Sequence, residues 1–474
     1  MRIPATGMHS DAILATLRSF KAQDMDWQAG RVFAYVYQPD DAAATLVKDA
    51  YMLYLTENCL DPTTFPSTAR LESDVVGMLA DLLQGDDQVV GNVTSGGTES
   101  ILLAVKTARD WARAHRPHIT QPELVLARTA HAAFHKAAHY LGVKPVVVDF
   151  DPVTFEADVN AMEAAITPNT ILLVASAPCY SQGVVDPVGA IAALAQAHGL
   201  LCHVDACVGG IHLAFLRRLG APVTPFDFSV SGVTSISVDM HKYGYAAKGA
   251  SVVLHRNRSL RRHQIFASTD TTAYTIINPT ALSSRSAGPL AGAWAILHYL
   301  GEAGYLELVA TVQAATARLI EGVKRIDGLR VLGQPAMSMF AFASDTINVF
   351  MLADALRRRG WYVQPQFSTP RSPRNLHISV TYSVAHNVEA LLTDLAASVE
   401  EVKAQPPFDR DFLQAVAAAL AEDPSPASIA TLMGAVGLSP GALPTETALI
   451  NEVLDALPDA VANAVLIDFF NELG

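Results

Sequence analysis

The segment that decides the fold runs from Ile171-Leu-Leu-Val-Ala175 through Asp186-Pro187 and His198-Gly199 to Leu201-Cys-His-Val204. Its two ends are short and rich in Val, Ile and Leu, the composition of strands buried on both faces. Between them, Asp186 and Pro187 read as the cap and first residue of a helix, and Gly199 as its stop. Strand, helix and strand in succession predict a parallel crossover unit.

The same alternation extends from about residue 85 to 255. Further apolar runs occur at Leu124-Val-Leu-Ala127, Val146-Val-Val-Asp149, Ser235-Ile-Ser-Val238 and Ser251-Val-Val-Leu254. Within Thr98–His115, residues Ile101, Val105, Ala108 and Ala112 fall on one helical face. Together these predict an α/β domain with a mostly parallel sheet. Beyond it, a long helical pattern (Leu290–Ile326) precedes strand-like Leu329–Leu332, Met339–Phe342 and Leu376–Val380. A helix over Val388–Val402 completes a smaller α+β domain. Ala404-Gln-Pro-Pro-Phe408 reads as a linker. The tail from Asp411 is helical by pattern, broken at Pro424-Ser-Pro426 and Ser439-Pro-Gly441. The expected division is an N-terminal segment (1–55), a large domain (56–289), a small domain (290–405) and a helical extension (406–474).

Of 474 residues, 50% are hydrophobic and 17% charged, which excludes a disordered chain. Lys plus Arg number 33 against 46 Asp plus Glu, a net charge of −13. That balance disfavours nucleic acid and acidic membrane surfaces as partners. A small-molecule substrate remains compatible. No apolar run reaches the roughly 18 residues of a membrane helix, and Met1-Arg-Ile-Pro-Ala-Thr-Gly7 carries no secretory signal. With four cysteines (Cys59, Cys179, Cys202 and Cys207), a reducing cytoplasm is expected. Cys202 and Cys207 flank His203 and Asp205, but no second pair completes a metal site, so buried thiols are expected and no metal.

Several residues carry chemistry. Thr94-Ser-Gly-Gly-Thr-Glu-Ser100 stands just before a helix. Gly96 and Gly97 let backbone approach a ligand, and the helix end offers N–H groups to an anion. A plain tight turn is the alternative. Asp205 ends a buried strand, where α/β proteins place ligands, and could pair with a ring nitrogen or simply cap a helix. Lys242 follows another strand among aromatics and glycines. Desolvation there would lower its pKa and make it a nucleophilic amine, unless it is an exposed loop lysine. His131 could stack on a flat cofactor or be structural. Tyr180 could relay protons or pack. These residues follow the carboxyl ends of different strands, so one shared site is the simplest account. An anion cradle, a stacking ring, a carboxylate and an amine are the parts that hold pyridoxal phosphate.

Four stretches carry a resemblance: Thr94-Ser-Gly-Gly-Thr-Glu-Ser-Ile101, His131-Ala-Ala-Phe-His-Lys-Ala137, His203-Val-Asp-Ala-Cys-Val-Gly-Gly210 and His241-Lys-Tyr-Gly-Tyr-Ala-Ala-Lys-Gly-Ala-Ser251. Over about residues 30 to 405 the chain resembles the sphingosine-1-phosphate lyases, a branch of the pyridoxal-phosphate decarboxylases that includes glutamate and tyrosine decarboxylases. The resemblance implies the aspartate-aminotransferase type of fold and a homodimer with active sites at the subunit interface. It implies that Lys242 bonds the cofactor aldehyde, Asp205 pairs with the pyridine nitrogen and His131 stacks on the ring. Gly97, Thr98 and His241 would hold the phosphate, with Gly96 beside them, and Ser176 would touch the cofactor. Tyr180, Lys248 and Tyr37 would line the reacting centre, and Asn58 would lie near substrate.

The implied reaction is retro-aldol cleavage of a phosphorylated amino alcohol to an aldehyde and a phosphoethanolamine-like amine. Amino-acid decarboxylation is the alternative, and a non-catalytic binding protein the remote one. Tyr180 and Lys248 both remain open as the base. The chain departs from the lyase pattern where Asp61 replaces a phosphate-binding histidine, a carboxylate that would repel a substrate phosphate. Other departures are Met240, Ser283-Ser-Arg-Ser-Ala-Gly288 and Thr269-Asp-Thr-Thr-Ala-Tyr274.

Overall fold

The computed structural model describes residues 2–272, 274–436 and 444–472. The break expected at Ser439–Gly441 lies outside them, as does Ala273. Seven strands form the central sheet: β1 (Val90–Thr94), β2 (Glu123–Ala127), β3 (Lys144–Val148), β4 (Thr170–Ser176), β5 (Leu201–Asp205), β6 (Ser235–Val238) and β7 (Ser251–His255). Their order is β1-β7-β6-β5-β4-β2-β3. The run from β6 to β3 is parallel throughout, and β7 is antiparallel to both β6 and β1. Every residue of β2, β4, β5, β6 and β7 is buried, which is why these strands read as unbroken apolar runs.

β1 gave no such signal. Its Val90-Gly-Asn-Val-Thr94 pattern is polar at the centre, yet Asn92 is buried because partners satisfy it. Its amide donates to Glu72, and its carbonyl accepts from Arg261 at 2.9 Å. Gly91 is required there, since a Cβ would strike the Val253 carbonyl of β7.

The helix after β4 spans Val188–Ala197 and stops at Gly199 (φ +61°). Asp186 does not cap it. Its carboxylate accepts the buried N–H groups of Ser176 (2.7 Å) and Ala157 (3.0 Å), tying the end of β4 to the preceding loop. Those two donors are fixed in place and deeply buried, so they claim the carboxylate ahead of an exposed helix end. Burial also pushes the Asp186 carboxyl up to about 6, against the pull of those two N–H groups.

The long helical pattern is one element, Gly288–Arg325, interrupted at Gly301 by a non-helical residue (φ 55°). It packs against Asp41–Leu53 and leads into a four-stranded antiparallel sheet. That sheet comprises Arg330–Val331, Met339–Ala343, Asn375–Ser379 and Gln364–Gln366, the last an edge strand that begins Gln-Pro.

Beyond residue 409 the tail forms helices around its own small apolar core, which includes Leu413, Val416, Leu420, Ile450, Val453 and Val465. It docks on the small domain through acids. Glu446 accepts from Arg358 (2.6 Å), Asp455 pairs with Arg374 (3.3 Å), and Glu452 bonds Arg374 and Asn348. The helix Ala448–Ala456 has no cap of its own. Asp354 from another helix takes the N–H groups of Thr447 and Ala448 at 3.0 and 2.8 Å. Asp354→Ala would leave those donors without acceptors, costing about 1–3 kcal/mol locally. The expected result is faster amide exchange over 447–456 with unchanged exchange in the central sheet, measured by hydrogen–deuterium exchange.

Candidate active site

Thr94 ends β1, and the Gly96-Gly97 turn feeds the helix Gly97–His115. Buried hydroxyls fix this junction: Thr94 Oγ1 to Ser100 Oγ at 2.7 Å, and Ser100 Oγ to Ser251 Oγ at 2.8 Å. Glu99 reaches back to accept from Ser95 N–H and forward to accept from Ala281 N–H, both at 2.6 Å. No side chain caps the helix start, so its first N–H groups remain available to an anion. Gly97 packs so closely that a Cβ would come within 2.9 Å of the Asp239 carboxylate and of Cys207 Sγ.

The strand ends converge on this turn. A cleft of about 440 Å³ is lined by Gly96, Gly97, Thr98, His131, Ser176, Tyr180, Asp205, His241, Lys242 and Lys248. Asp205, at the end of β5, accepts from Cys207 N–H (3.0 Å) and Ser237 Oγ (3.4 Å), both through Oδ1. That leaves Oδ2 for a donor from the cleft. His131 Nδ1 accepts from Ala133 N–H, which turns the Nε2 edge outward and leaves the ring exposed. Its ring stands edge-on to Tyr180, 6.4 Å between centroids. Ser176 Oγ is buried with no hydrogen-bond partner among the described residues. His241 Nδ1 donates to the Ala250 carbonyl at 2.8 Å.

The two lysines behave differently. Lys242 was expected to lose its proton through desolvation. It is half-buried, but its Nζ lies 2.9 Å from Asp239 Oδ2, and this ion pair holds the amine protonated, above the usual lysine range, against the opposing effect of desolvation. Lys248 has no carboxylate in contact. Its Nζ donates to the Tyr35 carbonyl (2.8 Å), and although the residue as a whole is exposed, desolvation at its amine end and the nearby Lys242 charge bring its pKa down to about 8. Tyr180 goes the other way. Burial raises its phenol well above the ordinary value, and its hydroxyl donates to Gln364 Oε1 at 2.7 Å.

Three selected residues do not line this cleft. Tyr37 stands behind it, edge-on to Tyr243 at 5.0 Å, with Lys248 Nζ 5.1 Å from its ring centre. Asn58 bonds Ser284, and the backbone of Leu60 and Arg285. Asp61 is fully exposed, and its oxygens are spent on the N–H and hydroxyl groups of Thr63 and Thr64, which lower its pKa. It is a turn-forming aspartate bordering a second cavity of about 730 Å³, with Cys59, Glu72, Tyr274 and Arg285. Within one chain, then, Asp61 borders this second cavity and not the cleft.

Sequence reasoning missed Asp239, Glu99 and Cys207 as cleft residues. Asp239 stood inside a quoted stretch. Its signal was the spacing of three residues from Lys242, which a turn converts into an ion pair.

The cleft fits pyridoxal phosphate on its own features: an uncapped helix start behind a glycine pair, an orphaned buried hydroxyl at Ser176, and an amine and a carboxylate on adjacent strand ends. Comparison with known proteins agrees. Residues 9–343 match the pyridoxal-dependent decarboxylase conserved domain, and residues 410–472 match a C-terminal HTH domain of pyridoxal-dependent enzymes. The sphingosine-1-phosphate lyase of Oryza sativa is 40% identical over 85% of this chain and 75% of its own length. That of Arabidopsis thaliana is 38% identical over 97% of this chain and 80% of its own. The structure of the Burkholderia pseudomallei sphingosine-1-phosphate lyase superposes with a TM-score of 0.81 at 36% identity, over 85% of this chain and 93% of that one. The chain belongs to the pyridoxal-dependent decarboxylase family and is a pyridoxal-phosphate-dependent lyase.

Proposed function

We propose that the protein cleaves the Cα–Cβ bond of a phosphorylated amino alcohol of the long-chain-base phosphate class, releasing an aldehyde and a phosphoethanolamine-like amine. The observation that carries this reading is a second lysine, Lys248, lining the cleft beside Lys242 with its Nζ held by the Tyr35 carbonyl at 2.8 Å. The lyases of Oryza sativa and Burkholderia pseudomallei support it.

Bound pyridoxal phosphate supplies an electron-withdrawing ring that accepts the electron pair left on the substrate's α-carbon. Lys242 would hold its aldehyde carbon, Asp205 its ring nitrogen and His131 its ring face. The Gly96-Gly97-Thr98 turn and His241 would hold its phosphate, with Ser176 Oγ as a further donor. The retro-aldol step needs a base at the β-hydroxyl. Lys248 Nζ takes that proton, because a group with a pKa near working pH both exists as free base and holds the proton once taken. Tyr180 is unsuited, since its raised pKa keeps it protonated and its hydroxyl already donates to Gln364 Oε1. Tyr37 backs Lys248.

We also propose a homodimer. In a single chain the helix Ser10–Phe20 buries none of its residues and exposes Ile13, Leu14, Leu17 and Phe20 along its length. A second copy would cover that face and bring Asn58 and Asp61 to an interfacial site. A cytoplasmic setting is consistent with four free cysteines. Among the described residues no helix is long and apolar enough to cross a membrane.

Two outcomes test the reading. Incubation with a long-chain base phosphate should yield the long-chain aldehyde, and Lys242→Ala should abolish both this and the enzyme's visible absorbance band; carbon dioxide from an amino-acid panel with no aldehyde would establish a decarboxylase instead. The second concerns pH. Because Lys248 acts as the free amine and its pKa is depressed, kcat/KM should rise with pH and level off above about 8. Lys248→Arg, which cannot deprotonate, should lose roughly 10²–10⁴-fold and flatten that rise.

A further inference from the structure

The carboxylate of Asp239 has no assigned task. It is almost fully buried, and its backbone N–H is tied to the Cys207 carbonyl at 3.1 Å. Oδ2 contacts Lys242 Nζ at 2.9 Å and His241 Nε2 at 3.6 Å. Oδ1 has no hydrogen-bond partner among the described residues. Gly97 makes room for both oxygens, since a Cβ there would sit 2.8 Å from each. A buried carboxylate with one orphaned oxygen is expensive, and a fold that needed only packing here would place an apolar side chain. The charge answers the lysine.

We propose that Asp239 is a positioning residue that holds the Lys242 nitrogen as an ammonium whenever it is not bonded to the cofactor, and so sets the pH above which Lys242 can capture an aldehyde. This rests on the pyridoxal-phosphate reading of the cleft. Capture requires the free amine. The ammonium proton leaves to solvent, the nitrogen lone pair forms the bond to the carbonyl carbon, and the carbonyl oxygen departs as water. The ion pair opposes the first of these events. It also keeps a displaced Lys242 from attacking again while substrate occupies the aldehyde carbon.

Other groups that act on the same nitrogen are His241 on its own loop, Cys207 after β5, Tyr37 from the N-terminal segment, Tyr180 after β4 and Lys248. Asp239 is the carboxylate paired with it. Without Asp239, burial and the Lys248 charge would both favour the neutral amine.

The test reads the lysine directly. Enzyme freed of cofactor with hydroxylamine is pulse-labelled with acetic anhydride across a pH series, and labelling at Lys242 is compared by peptide mass spectrometry with exposed Lys136. In the wild type, Lys242 should reach half-reactivity at higher pH than Lys136. Asp239→Asn should lower its midpoint by roughly one to three pH units, and Asp239→Glu should restore it. Equal midpoints in wild type and Asp239→Asn overturn the proposal. Should Asp239→Asn not fold, the wild type alone decides: a Lys242 midpoint at or below that of Lys136 overturns it. A wild type that takes up no pyridoxal phosphate refutes the cofactor reading, while the labelling midpoint still tests the ion pair.

Discussion

A parallel strand delivers whatever follows it to one edge of the sheet, and the cleft exists because this chain spends that constraint repeatedly. The turn after β1 supplies the anion cradle. The ends of β2, β4, β5 and β6 supply His131, Ser176 with Tyr180, Asp205, and Lys242. Residues more than a hundred positions apart meet with little loop to position them, since the sheet's own spacing sets the distances. Full burial of β4, β5 and β6 fixes register, because a one-residue slip would reverse which face each side chain meets. The site therefore inherits its precision from the core.

Within that frame, charge distinguishes two lysines whose protonation sequence alone does not separate. Lys242 lies in contact with a buried carboxylate and keeps its proton. Lys248 lies against backbone carbonyls, close enough to feel Lys242, and gives its proton up more readily. One lysine suits an anchor and the other a base, and the difference arises from Asp239 standing three residues before the first. Glycine at 97 is part of the same device. Its missing side chain admits the carboxylate that tunes Lys242 as well as any ligand at the helix start.

The elements legible in sequence were those with a single dominant force behind them. Ile171–Ala175 and Leu201–Val204 read as strands because both faces are buried, and Ile101, Val105, Ala108 and Ala112 read as a helix because one stripe is. β1 was illegible because a hydrogen-bond network, not apolar burial, keeps Asn92 inside. Asp186 was misjudged as a cap, and the local bonds of Asp61 went unread, for a related reason. An aspartate takes whichever N–H groups the tertiary fold offers: for Asp186 these come from β4 and a distant loop, and for Asp61 from the next turn. The residue types of the cleft could be gathered from strand ends, but protonation could not, because it depends on which side chain closes the last few ångströms.

The tail shows the same limit of motif reading. Its match to an HTH domain suggests nucleic acid, but residues 410–472 contain one basic residue, Arg410, against nine acidic ones. A segment of that sign repels a phosphate backbone, and Arg410 alone can release few of its counterions. Three of the nine acids are engaged elsewhere. Glu446, Glu452 and Asp455 meet Arg358, Arg374 and Asn348 on the small domain, and Asp455 also accepts from Ser368 N–H. Ser368 and Arg374 bracket the loop that follows the edge strand carrying Gln364, and Gln364 is the residue that accepts the Tyr180 hydroxyl. The helical unit thus contacts the small domain through acids of its own and through backbone N–H groups that Asp354 accepts.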